Sequence, residues 1–192
     1  MDQKKVNIIE EHIVFDEFLK IKKGKLQHTM PDGEMSPKLE RLYLDRNDAV
    51  AAVVYLEDED AYLFTNQFRY PTYEKGGGWI IELVAGIVEE GEEAEDSMKR
   101  EIMEELGYKT SNVEYLTTFF LSPGGTSERI HLYLCHSSSA EKKNEGGGAE
   151  DENEGIEVIK YRREEVVEKL KNNSFQDAKT IIGMMMALKT LP

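Results

Sequence analysis

The sequence predicts an α/β or α+β sandwich preceded by a small, mostly β extension. Three observations carry this. From residue 49 onward the chain has apolar runs of buried-strand character, a helical segment with the apolar ridge Ala94, Met98, Ile102 and Leu106 lies between them, and further helical segments end the chain. The 192 residues suffice for one well-cored domain plus an extension, here divided at 1–45 and 46–192. With 40% hydrophobic and 32% charged residues, the chain reads as soluble and globular. A net charge of −14 argues against non-specific nucleic-acid binding, because nothing would drive counterion release from phosphates. An anionic substrate stays possible if a metal and a few local arginines neutralise it. The single cysteine, Cys135, excludes an internal disulfide and suits a reducing compartment. No apolar run approaches the ~20 residues of a membrane span, and the N-terminus lacks a signal-peptide core, so a cytoplasmic protein is expected.

In the extension, residues 13–15 and 19–26 are β-capable, and Pro31-Asp32-Gly33 is a turn signal before a return strand at 39–44. So short an extension has little core of its own and is expected to pack on something else, such as a partner subunit. Residues 50–56 and 62–68 predict a hairpin turned at Asp58-Glu59-Asp60, with Arg69 at the strand end. Pro71 and Gly76-Gly77-Gly78 mark a loop, and 79–84 returns as one strand. Strands are expected at 113–120, 130–136 and 156–161, a glycine-bearing polar loop at 122–129, and helices at 163–170 and 177–191. Residues 137–155, poor in apolar side chains, read as a mobile loop. His131 reads as a packed strand residue, Cys135 as a buried thiol and Met184 to Met186 as core filling.

The chemistry concentrates between Gly86 and Tyr108. Glu101 and Glu105 are four apart, so both carboxylates share one helical face with Glu104 beside them. Three acids so close repel one another unless a cation sits among them, and hard divalent ions want oxygen ligands of this kind. A solvated acidic face would explain a lone Glu pair, but not Gly86, Glu92, Arg100 and Gly107 at fixed offsets as well.

With those residues in place, the segment resembles the Nudix box, Gly-x5-Glu-x7-Arg-Glu-U-x-Glu-Glu-x-Gly-U, at every fixed position. Tyr108 is aromatic where an aliphatic residue is commoner. The resemblance implies a mixed sheet flanked by helices (an α/β/α sandwich) and hydrolysis of a nucleoside diphosphate linked to another moiety, cut by metal-activated water. It makes Glu101 and Glu105 the main ligands of Mg²⁺, with Mn²⁺ as the alternative, Glu104 the third carboxylate and the Ala85 carbonyl the completing donor. Arg100 would orient these glutamates by ion pairing, and Glu92 would assist from the start of the helix.

Outside the box, residues 67–73, 82–86, 122–129 and 151–154 resemble the bacterial ADP-ribose pyrophosphatases, a likeness that covers roughly residues 40 to 190. It implies that a loop carboxylate, Glu152 or in reserve Glu154, acts on the attacking water. Arg69 would meet a phosphate or ribose, and Glu82, Gly125 and Glu128 would join it in binding substrate. The extension would be exchanged within a homodimer, bringing Phe18 (stacking) and Arg41 to the nucleobase pocket. The run at 145–152, with its Gly-Gly-Gly turn, instead resembles the GDP-mannose pyrophosphatases, while 126–129 leans to ADP-ribose. The base stays open between the two. A non-catalytic Nudix-fold binding module is the rival from another class, and the intact acid set argues against it. An acidic calcium-binding protein would carry an Asp-x-Asp-x-Asp-Gly loop, absent here.

Overall fold

The computed structural model describes residues 4–110, 112–148 and 155–190. In chain order its strands are β1 (Val6–Asp16), β2 (Lys20–His28), β3 (Leu39–Asp45), β4 (Ala49–Leu56), β5 (Ala61–Phe68), β6 (Trp79–Glu82), β7 (Val84–Ile87), β8 (Asn112–Phe120), β9 (Arg129–Ser137) and β10 (Glu157–Arg162). The helices are α1 (Tyr73–Gly76), α2 (Ala94–Glu101), which runs into a π-helical turn at Ile102–Leu106, α3 (Arg163–Lys171) and α4 (Ala178–Thr190). The chain divides into two units: the residues through Asn47 with Phe120–Glu128, and Asp48–Phe119 with the residues from Arg129 on.

The larger unit is built on a mixed sheet with the order β10-β5-β4-β9-β8, to which β6 adds beside β5 and β7 beside β4. β4 and β9 run parallel, and the other registered pairs are antiparallel. The apolar run of β4 follows from its central place, because both of its faces are covered. Ala49, Ala51 and Val53 join one core with Leu132, Leu134, Val166 of α3 and Met184 of α4. Val50, Ala52 and Val54 join the other with Met98 of α2 and Ile102 and Leu106 of the π turn. This alternation produces the two covered faces. Met184 is core, whereas Met185 is 53% exposed, so the methionine triplet is only partly core filling.

The expected single strand over 79–84 is two strands. β6 pairs with β5 and β7 pairs with β4, and the break falls at Leu83, whose N–H donates to Thr180 Oγ1 of α4 at 2.9 Å instead of continuing a ladder. Gly86 lies inside β7, opposite Val50.

The smaller unit is a three-stranded antiparallel sheet, β1-β2-β3. Register shifts after Ile8 and after Ile13 bend β1, every residue of which is exposed. Lys22–Asp45 at 2.9 Å and Lys23–Glu40 at 2.8 Å tie β2 to β3. Residues 120–128 belong to this unit through the end of β3: Leu44 N donates to Gly125 O at 2.8 Å, and Ser127 N to Leu44 O at 3.0 Å.

Candidate active site

Strand β7 and the α2–π segment bring the acidic residues together. Gly86 has no side chain, and the Glu101 carboxylate occupies the space before it, so a Cβ there would fall inside that carboxylate. One turn on, Glu105 is buried, and Ala85 N approaches its Oε2 at 3.4 Å. Glu101 and Glu105 therefore both lie against the Ala85–Gly86 edge. The π turn between them is a finding that helical periodicity did not anticipate, and such turns recur where a helix aims side chains for function.

Arg100 organises the remaining acids. Its Nε and Nη2 reach the two oxygens of Glu92, each at 3.1 Å, while Nη1 donates to Glu101 at 2.7 Å and to Glu104 at 3.1 Å. The hydrogen bonds to Glu92 raise the guanidinium pKa further above its usual range, and the same bonds hold the Glu92 carboxyl below the ordinary carboxylate value. Among the described residues, no group of three or more His, Cys, Asp or Glu side chains has the geometry to hold a metal ion. Arg100 Nη1 bridges Glu101 and Glu104.

The Gly-Gly-Gly run is not a free loop. Gly147 N donates to Glu105 O at 2.9 Å and Gly148 N to Glu104 O at 3.1 Å, satisfying carbonyls that the end of a helix leaves without partners. Gly146, at φ +69°, passes so close to Glu105 O that any side chain would strike backbone. The expectation of a mobile loop over 137–155 is thus corrected for residues 137–148, which also hold a 3₁₀ turn at Ser139–Glu141. Glu152 and Glu154 lie outside the described residues.

Arg69 and Glu82 form a second cluster in the same unit. Arg69 Nε donates to Glu82 Oε2 at 2.7 Å, and Lys179 Nζ donates to Glu82 Oε1 at 2.6 Å. Glu82 is buried with both oxygens engaged by cations, so it is suited to holding Arg69 rather than to reaching a ligand itself. Lys179 and its neighbour Asp177 were not singled out from the sequence. An Asp before a helical run is a capping signal, but a buried lysine has no local signature.

The other expected substrate residues lie in the smaller unit. Phe18 is 91% exposed in the turn between β1 and β2. Arg41 is on β3 opposite Gly24, with Nη1 donating to Glu40 O at 2.8 Å. Gly125 bonds the end of β3, and Glu128 lies 3.7 Å from Arg46.

Comparison with known proteins settles the family. The family model described as NUDIX domain matches residues 45–182. The chain belongs to the NUDIX family. Curated relatives include the GDP-mannose pyrophosphatase of Cronobacter sakazakii, 32% identical over 92% of each chain, and that of Pectobacterium atrosepticum, 30% identical over 95% of this chain and 94% of the other. A solved structure described as an ADP compounds hydrolase superposes with a TM-score of 0.76 at 15% identity, covering 97% of this chain and 94% of the other, which shows a shared fold. The NUDIX match includes all of β7, α2 and the π turn, hence the whole Arg100 cluster. Its last residues reach into α4, so Lys179 also falls within it.

Proposed function

We propose that this NUDIX protein hydrolyses the pyrophosphate bond of a nucleoside diphosphate sugar, releasing a nucleoside monophosphate and a sugar phosphate. The observation that carries the reading is the pair of carboxylates, Glu101 and Glu105, gathered on the Ala85–Gly86 edge of a NUDIX chain. Its curated relatives named GDP-mannose pyrophosphatase support the substrate class. ADP-ribose and GDP-mannose are the two candidates, and the Gly146–Gly148 turn and those relatives favour the second.

By donor chemistry the residues that would hold a hard divalent ion, Mg²⁺ by preference, are Glu101, Glu104, Glu105 and the Ala85 carbonyl, since they offer oxygen alone. Bound there, the ion would neutralise phosphoryl charge and lower the pKa of the attacking water. Arg100 holds Glu101 and Glu104 in place through Nη1 and can release Glu104 without losing Glu92. Arg69 presents its guanidinium to a phosphate or ribose. Glu152, with Glu154 as the alternative, is the proposed acceptor of the water proton. A homodimer in the cytoplasm completes the proposal. Among the described residues, no helix is long and apolar enough to cross a membrane.

The test is release of AMP or GMP from ADP-ribose, GDP-mannose and ADP-glucose, with Mg²⁺ and with EDTA. Turnover with Mg²⁺ that EDTA abolishes is expected. If none of the three is cleaved with Mg²⁺, the enzymatic reading fails, and tight binding without turnover would favour a ligand-binding module.

A further inference from the structure

The first turn of α4 has polar side chains that the proposed chemistry does not use. Asp177 immediately precedes the helix and caps it, its Oδ2 accepting from Thr180 N at 2.9 Å and from Thr180 Oγ1 at 2.6 Å. Its other oxygen lies 3.2 Å from Lys179 Nζ, with both side chains nearly buried. Lys179 in turn donates to Glu82 Oε1, and Glu82 Oε2 receives Arg69 Nε. Four charged groups thus alternate in sign along one line, and three of them are largely removed from water. Only Arg69 reaches solvent, with a side chain 41% exposed. Its Nε is held by Glu82 at 2.7 Å.

We propose that Asp177 is a positioning residue for Arg69, acting through Lys179 and Glu82. The physical argument concerns how one carboxylate is shared. Glu82 answers two cations. If Asp177 did not draw part of the Lys179 charge, Lys179 would compete fully for Glu82 and loosen its hold on Arg69. With Asp177 in place, Glu82 fixes Nε and thereby the plane of the guanidinium, whose fork recognises phosphate only in a set orientation. Low local dielectric makes each step of this relay stronger than it would be in water. The inference rests on Arg69 being a substrate contact, as proposed above.

Asp177→Asn tests it cleanly, because Asn caps a helix about as well as Asp while removing the charge. Wild type, Asp177→Asn, Arg69→Ala and the double variant are compared on GDP-mannose or ADP-ribose, whichever wild type cleaves faster with Mg²⁺. Asp177→Asn should raise KM by about three- to tenfold and leave kcat within about twofold. In the Arg69→Ala background the same change should add less than about twofold, because its effect passes through Arg69. Glu82→Gln, one step nearer, should give the same split and be equally silent without Arg69. An unchanged KM, whatever the Tm, would overturn the proposal, and so would full additivity with Arg69→Ala. Wild type that cleaves and binds neither nucleotide sugar removes the functional reading and this inference together, whereas active wild type with additive effects removes only the inference.

Discussion

Gly86 shows how one missing side chain serves a site. Its position in β7 could accept any residue as far as φ is concerned, yet the Glu101 carboxylate lies where a Cβ would be. Gly86→Ala should therefore displace Glu101 and lower kcat by about a hundredfold, the scale expected when a reacting group is misplaced by an ångström. Near-native circular dichroism with that loss would confirm a local effect, and unchanged kcat would show that the Glu101 position is irrelevant. Arg100 is the complementary case. Its fork is divided between Glu92 and the Glu101–Glu104 pair, so the repulsion among the three carboxylates is partly offset. Glu82 shows the limit of reading residues singly. As part of a motif it looks like a substrate ligand, but its partners, Arg69 and Lys179, are 13 and 97 residues away.

At the scale of elements, α4 lies unusually close to the sheet. A Cβ on Gly183 would meet Leu83 Cδ1 at 2.6 Å and Val53 Cγ2 at 3.0 Å. An alanine there gains about 1 kcal/mol in helix propensity but loses about 1–3 kcal/mol to overlap in a packed core. Gly183→Ala should thus lower Tm by a few degrees in a thermal melt, and a higher Tm would mean that the helix moves away at no cost. The same close packing brings Thr180 to Leu83 N and splits the expected strand into β6 and β7. Existence and type of the elements were legible from periodicity in β4, β5, β9 and α2. The π turn was not, and the amides that bond its carbonyls, Gly147 and Gly148, lie more than forty residues later in the chain.

At the scale of the molecule, the smaller sheet leaves much apolar surface uncovered. Val6, Ile8, Ile13 and Phe15 of β1 are each more than 40% exposed. A three-stranded sheet with so little of its own core gains most by covering such surface, as a second copy would in the proposed homodimer. Light scattering at micromolar concentration should give twice the chain mass of 22.0 kDa. A mass equal to one chain would end the homodimer proposal.

The sequence alone determined the class of the fold and the gathering of carboxylates on one helix. Both depend on local spacing: alternation places side chains on strand faces, and a four-residue interval places Glu101 and Glu105 on one helical face. Only the tertiary structure decided which groups answer those charges. Arg100 among its three acidic partners was half visible, since Glu101 and Glu104 are close in sequence. Asp177, Lys179, Glu82 and Arg69 were not, because a buried charge is stable only beside partners that folding brings from other elements.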